Sequence, residues 1–191
     1  MEACSPFGIC VHYCEHVLNP ALQDTVTQIE PLGSIQAPYN VLEASPKQHT
    51  LFGDTEVQGE DLKLMLHVKS LGTTWSCWLE AVKAIYRQME RTVKALLTLS
   101  SDKDPKTYFK SRTLLTTTCD WEFIFKLCLL KVILSNTSSL CQYLQGKTVD
   151  VISARRNANM TIQTLCQCLN KERFTSVWHI ASAMGLKIKK C

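Results

Sequence analysis

Five of the six prolines, Pro6, Pro20, Pro31, Pro38 and Pro46, fall within the first 60 residues, and the sixth, Pro105, directly follows an aspartate. A proline inside a helix removes a hydrogen bond and clashes with the preceding turn, at a cost of about 3 kcal/mol. Long helices are therefore confined to the part of the chain beyond Thr74. Before it, Pro20 interrupts His16–Ile29 and Pro38 interrupts Ile35–Leu42, which predicts short, bent helices and incomplete order before about residue 12. Ser45-Pro46 has the form of an N-cap with proline at the first helical position, starting a short helix through Phe52. Phe7 to Tyr13 is a run of strand length and composition, and Gly53 to Glu60 is polar, acidic and turn-like, the natural linker.

From Thr74 the spacing changes. Apolar residues recur three and four apart from Trp75 to Leu99, the mark of a long amphipathic helix. Asp104-Pro105 restarts a helix that runs to about Thr117. Asp120 caps a third, with a stripe of Trp121, Ile124, Phe125, Cys128, Val132, Leu140 and Leu144, closed by Gly146 as a left-handed terminator. Asp150 caps a fourth, with Ile152, Ala158, Ile162, Leu165 and Leu169 facing inward, and a last helix covers Thr175 to Leu186. The fold class this implies is mainly α. A helical bundle over residues 61–191 is preceded by an irregular arm, residues 1–60, with at most one or two short strands.

Charge divides the chain at nearly the same place. Residues 1–68 hold two basic and nine acidic residues, a net −7, and residues 69–191 hold 19 basic and eight acidic, a net +11. A basic half of this size attracts phosphates, or else it is neutralised by its own acidic arm. The most apolar run, Trp121 to Leu134, contains Glu122, Lys126 and Lys131 and is too short to span a bilayer, so it fits a core helix and no membrane is expected as a partner. The N-terminus has neither a basic nor an apolar signal region, which points to an intracellular protein whose ten cysteines act mostly as small buried hydrophobes.

No pattern for catalysis emerges. There is no glycine-rich nucleotide loop, no HExxH and no nucleophile elbow, and Asp104, Asp120 and Asp150 are explained as helix caps. The residues of metal-ligand type, Cys10, Cys14 and His16, lack the paired spacing of a zinc finger. No cofactor or metal is expected, and a small zinc-binding module is the alternative those three residues leave open. Trp121 lies on an apolar face and reads as core. Trp75 and Trp78 stand at a helix start, where an aromatic either packs or stacks on a base, and packing is the commoner outcome.

Four stretches together resemble hAT-family transposases and the transposase-derived proteins related to MYM-type zinc finger proteins and to the repressor of the protein kinase inhibitor. Val11-His-Tyr-Cys-Glu-His-Val-Leu-Asn is similar to the Cys-x-x-His-x-Leu-Asn segment after the family's second catalytic Asp. Leu71-Gly-Thr-Thr-Trp-Ser-Cys-Trp-Leu-Glu-Ala-Val-Lys-Ala is similar to its Thr-Arg-Trp motif, with Thr74 in place of the Arg. Asp120-Trp-Glu-Phe-Ile-Phe and Leu144-Gln-Gly-Lys-Thr-Val-Asp-Val resemble later landmarks. The resemblance implies the tail of the first half of an RNase H-like core followed by the family's helical insertion domain. The two catalytic Asp would precede Met1 and the Glu would follow Cys191, so this chain is expected to be non-catalytic. It also implies a nuclear location. Nucleic acid, or a transposase-like protein that this segment assists in trans, is the implied partner. Trp75 matches the residue that handles a flipped base in active relatives. The contacts expected with nucleic acid are His16 and Trp75 from the matched motifs, with Lys83, Arg87 and Arg91 on the helix that Trp75 begins.

Overall fold

The computed structural model describes residues 37, 38, 40, 41, 75–146, 149–168 and 170–189. Of these, 88% are helical and none lies in a strand, so the described part is a mainly-α bundle. Its five long helices are α1 (Trp75–Leu99), α2 (Pro105–Thr118), α3 (Trp121–Leu144), α4 (Val151–Cys168) and α5 (Lys171–Ile188). The strand expected at Phe7–Tyr13, the helix expected after Ser45, the linker at Gly53–Glu60 and the ligand-type residues Cys10, Cys14 and His16 all lie outside the described residues.

The helix starts follow from capping chemistry. The Asp104 carboxylate accepts from the Thr107 N–H at 2.9 Å and from the Thr107 hydroxyl at 2.7 Å, while Pro105 needs no partner for a backbone N–H it lacks. Asp120 accepts from the Glu122 N–H at 3.0 Å, and Asp150 from the N–H groups of Ile152 and Ser153 at 2.8 and 3.1 Å. These bonds to the ionised form are the main reason that Asp104 and Asp150 titrate below the ordinary carboxylate range. The last helix is longer than its apolar spacing suggested, because Asn170 caps it at Arg173. The expected glycine terminator is not used. The chain leaves α3 through Gln145 in right-handed geometry (φ −84°, ψ −6°), and the Gly146 backbone is not left-handed.

The core is built around α3, which packs against all four other helices. By length and composition α3 would reach across a bilayer; in this fold ten of its residues are buried, among them Leu127, Leu130 and Leu134 at 0% exposure. They interlock with Val82, Ile85, Val93, Leu96 and Leu99 of α1, and with Val177, Ala181 and Ile188 of α5. Val41, from the proline-rich part of the chain, joins the same cluster, and it and Pro38 are both helical and buried. Helical geometry breaks within α1 at Gln88 (φ −106°, ψ 17°). Around that kink lies a buried polar run of Gln88, Arg91 and Thr92, and Ser111 and Thr118 of the neighbouring α2 are also buried.

Two expectations about packing are corrected. Trp121 is 37% exposed, not core. It stands at the α3 N-terminus against α5, in a cluster with Phe125, Phe174 and Trp178 whose ring centroids lie 4.8–6.4 Å apart. The α4 face was misplaced in part: Ala158 and Leu165 are half-buried as expected, and Leu169 lies outside the described residues. Ile152 and Ile162 are exposed, and α4 has no buried residue at all. Its half-buried positions are Ser153, Ala154, Asn157, Ala158, Thr161, Leu165 and Cys168, again at three- and four-residue spacing. This face is mostly small and polar because the α3 surface it meets is polar, as the contact of the Asn136 amide with Cys168 Sγ at 3.6 Å illustrates.

Candidate interaction groove

The sequence placed Lys83, Arg87 and Arg91 one turn apart on α1, and the structure separates them by environment. Lys83 is tied to Glu80 at 2.9 Å, the separation of an ordinary intrahelical ion pair. Arg91 is only 4% exposed, and desolvation pushes its pKa down. Arg91 is therefore corrected as a surface contact: a phosphate cannot reach a guanidinium enclosed between helices. Arg87 alone is exposed, and it opens onto a groove. Trp75 is the first residue of α1, but its side chain, like His16, lies outside the described residues.

The groove runs beside α5 and has two adjoining halves that share Tyr86 and Ile180. One, of about 380 Å³, lies between α1 and α5. The other, of about 230 Å³, lies between α1, α3 and the start of α5. Its apolar lining is Met89, Val177, Ile180, Ala183, Met184 and Ile188. Met89, Val177 and Ile188 are buried and belong to the core, while Ile180 is 43% exposed. The groove thus exists because α5 sits on the core through Val177, Ala181 and Ile188, leaving its Arg173–Ile180–Lys187 side clear of α1.

The rim is basic. Arg87 and Lys187 border one half, Lys131 and Arg173 the other, and Glu90 is the one acidic side chain lining either. Glu90 is engaged by Lys94 at 2.9 Å. That hydrogen bond first, then the charges of Lys94 and Lys187, hold the Glu90 carboxyl below its usual range. Lys131 places Nζ 3.6 Å from the centre of the Tyr86 ring, a close cation–π contact that fixes both at the junction of the two halves. Burial pushes the Tyr86 hydroxyl up, with a further push from Cys128. Cys128, lining the smaller half, is 3% exposed, and desolvation raises its thiol from 9.0 to about 11 against a smaller opposing effect of Lys131. A thiol so placed stays protonated and is a poor nucleophile at neutral pH.

Tyr86, Lys131, Arg173 and Lys187 were not singled out from the sequence. They lie on three helices, and no local spacing connects them; the only common signal is that each interrupts or borders an apolar run. No group of three His, Cys, Asp or Glu side chains that would hold a metal ion occurs among the described residues. Comparison with protein-family models, curated proteins and solved structures finds no match for this chain.

Proposed function

We propose that this chain is a non-catalytic binding module derived from the helical insertion of a hAT-type transposase, and that its ligand-contacting surface is the basic groove along α5. The observation that carries the reading is that four basic side chains from three different helices converge on one concave, partly apolar surface, with a single acidic residue already engaged by Lys94. Concave apolar surfaces with a few convergent polar groups are where ligands bind, and clustered cations steer acidic partners toward them. The transposase origin and nuclear location rest on the motifs around His16, Trp75, Asp120 and Leu144. The non-catalytic reading rests on the lack of a nucleotide loop, an HExxH or a nucleophile elbow within these residues, and on Asp104, Asp120 and Asp150 serving as helix caps.

The test is binding of labelled polyanions to the purified protein at two salt concentrations, with hairpin DNA, linear duplex DNA and poly-glutamate as probes. At least one polyanion is expected to bind, more weakly at the higher salt, and Arg87→Glu with Arg173→Glu is expected to remove most of that binding. Absence of salt-sensitive binding to all three overturns the reading, and so does magnesium-dependent nicking of DNA by this chain alone.

A further inference from the structure

We infer that the groove takes an acidic amphipathic helix of a protein partner, laid along α5 from Arg173 to Ile188. The inference rests on the binding-module reading above and says what kind of ligand the groove is shaped for. Three observations carry it. The first is the lining: Ile180, Ala183 and Met184 bring apolar surface between the basic residues, over the buried Met89, Val177 and Ile188. Nucleic acid presents charged phosphates at every step, so surfaces that follow it are polar along their length. An apolar floor with basic edges instead complements a helix with one apolar and one acidic face. Met184, half-buried, suits this role, since an unbranched thioether side chain adapts to differently shaped apolar partners.

The second observation is the length. Arg173 to Ile188 covers about 22 Å of α5 at 1.5 Å per residue, which matches an occupant of roughly four helical turns. Ile180 stands at the middle of that span, 43% exposed, and it lines both halves. It is placed to be the central apolar contact. The third observation is the charge order along the span. Arg173 lies at one end of the span and Lys187 near the other, with Ile180 between them and Lys131 at the junction over Tyr86. An occupant with acidic residues flanking an apolar stripe meets opposite charge at both ends. Tyr86 does not favour a nucleobase here, because one face of its ring already carries the Lys131 ammonium at 3.6 Å.

The probe is a fluorescein-labelled 16-residue peptide, stapled as a helix, with leucine at i, i+3, i+4, i+7 and i+11 and glutamate at its remaining positions. It is titrated against the full chain and followed by anisotropy. Two control peptides replace every glutamate by lysine, or every leucine by serine, and labelled oligo(dT) is the nucleic-acid arm. The acidic amphipathic peptide is expected to bind at least about tenfold more tightly than either control. Ile180→Asp and, separately, Arg87→Glu with Arg173→Glu are each expected to weaken it by about tenfold or more. Both changes are at exposed positions, and unchanged helical circular dichroism and melting temperature show that loss of binding is not loss of fold. If oligo(dT) binds with the same dependence on Arg87 and Arg173 while the acidic peptide does not, the helix inference is overturned and the basic groove survives as a nucleic-acid surface. If neither probe binds, the helix inference is overturned, while the binding-module reading stands or falls on the hairpin, duplex and poly-glutamate titrations. If the peptide binds but Ile180→Asp leaves it unchanged, the site is elsewhere and the inference is also overturned.

Discussion

α3 and α4 are neighbouring helices, 24 and 18 residues long, each begun by an aspartate cap, yet ten residues of α3 are buried and none of α4. Their sequences differ: α3 is apolar nearly all round over Trp121–Leu134, whereas α4 carries a narrower apolar stripe among polar residues. They differ as well in how many neighbours each has. α3 is surrounded by α1, α2, α4 and α5, so nearly every apolar side chain on it finds a partner. α4 packs chiefly on α3 with a face of small and polar residues, and Val151, Ile152, Met160 and Ile162 are left 50–83% exposed. Burial thus follows both the apolar content of a helix and the number of surfaces it meets, and an apolar stripe alone does not say which side is covered.

That comparison can be broken by substitution. Leu130→Ala in α3, at 0% exposure, is expected to lower stability by about 3–4 kcal/mol, the transfer loss plus a cavity in a site enclosed by other helices. Urea denaturation checks it, and a loss near zero would mean that α3 is not the centre of the core. The next largest effect is one of pH. The buried Cys128 thiol has a folded pKa of about 11 against 9.0, so the native state holds its proton where the unfolded chain has lost it. The full stability is present below pH 9 and is lost as pH rises through 11, by about 2–3 kcal/mol for a shift of this size. Cys128→Ala should flatten that decline, as read from denaturation midpoints at pH 8 and 11. A decline of equal size in the variant would assign it to other groups, Tyr86 among them.

A smaller effect has the opposite sign. The hydroxyl of Thr92, at 0% exposure, has no hydrogen-bond partner among the described residues. Thr92→Val keeps the shape and removes that cost, so a gain of about 1 kcal/mol is expected in the same measurement. The smallest effect sharpens the contrast: Ile152→Ser in α4, at 83% exposure, should change stability by less than about 0.5 kcal/mol. A loss above about 1 kcal/mol would show that α4 has a covered face after all.

The same contrast explains what could be read in advance. Asp104-Pro105, Asp120 and Asp150 fixed three helix starts because capping is local: the side chain bonds to a backbone N–H within three residues. Trp121 and Ile152 were misplaced because exposure depends on what packs above them. Asn170 was passed over as a cap since the apolar repeat in α5 begins further on, at Phe174 and Val177. Of the groove, Arg87 was picked out from the sequence. Lys131, Arg173 and Tyr86 were not, since they are brought together from α3, α5 and α1.

By itself the sequence determined the helical class, a bundle of four or five long helices after Thr74, and most of their starts. Proline placement, apolar spacing and caps act over a few residues and need no knowledge of the rest of the chain. Only the tertiary structure decided which helix is central, that Arg91 is enclosed while Arg87 is open, and that four cations border one apolar groove. The physical reason is that burial and electrostatic environment are properties of contacts between segments, and α1 and α5, which frame that groove, are separated in sequence by all three of the other long helices.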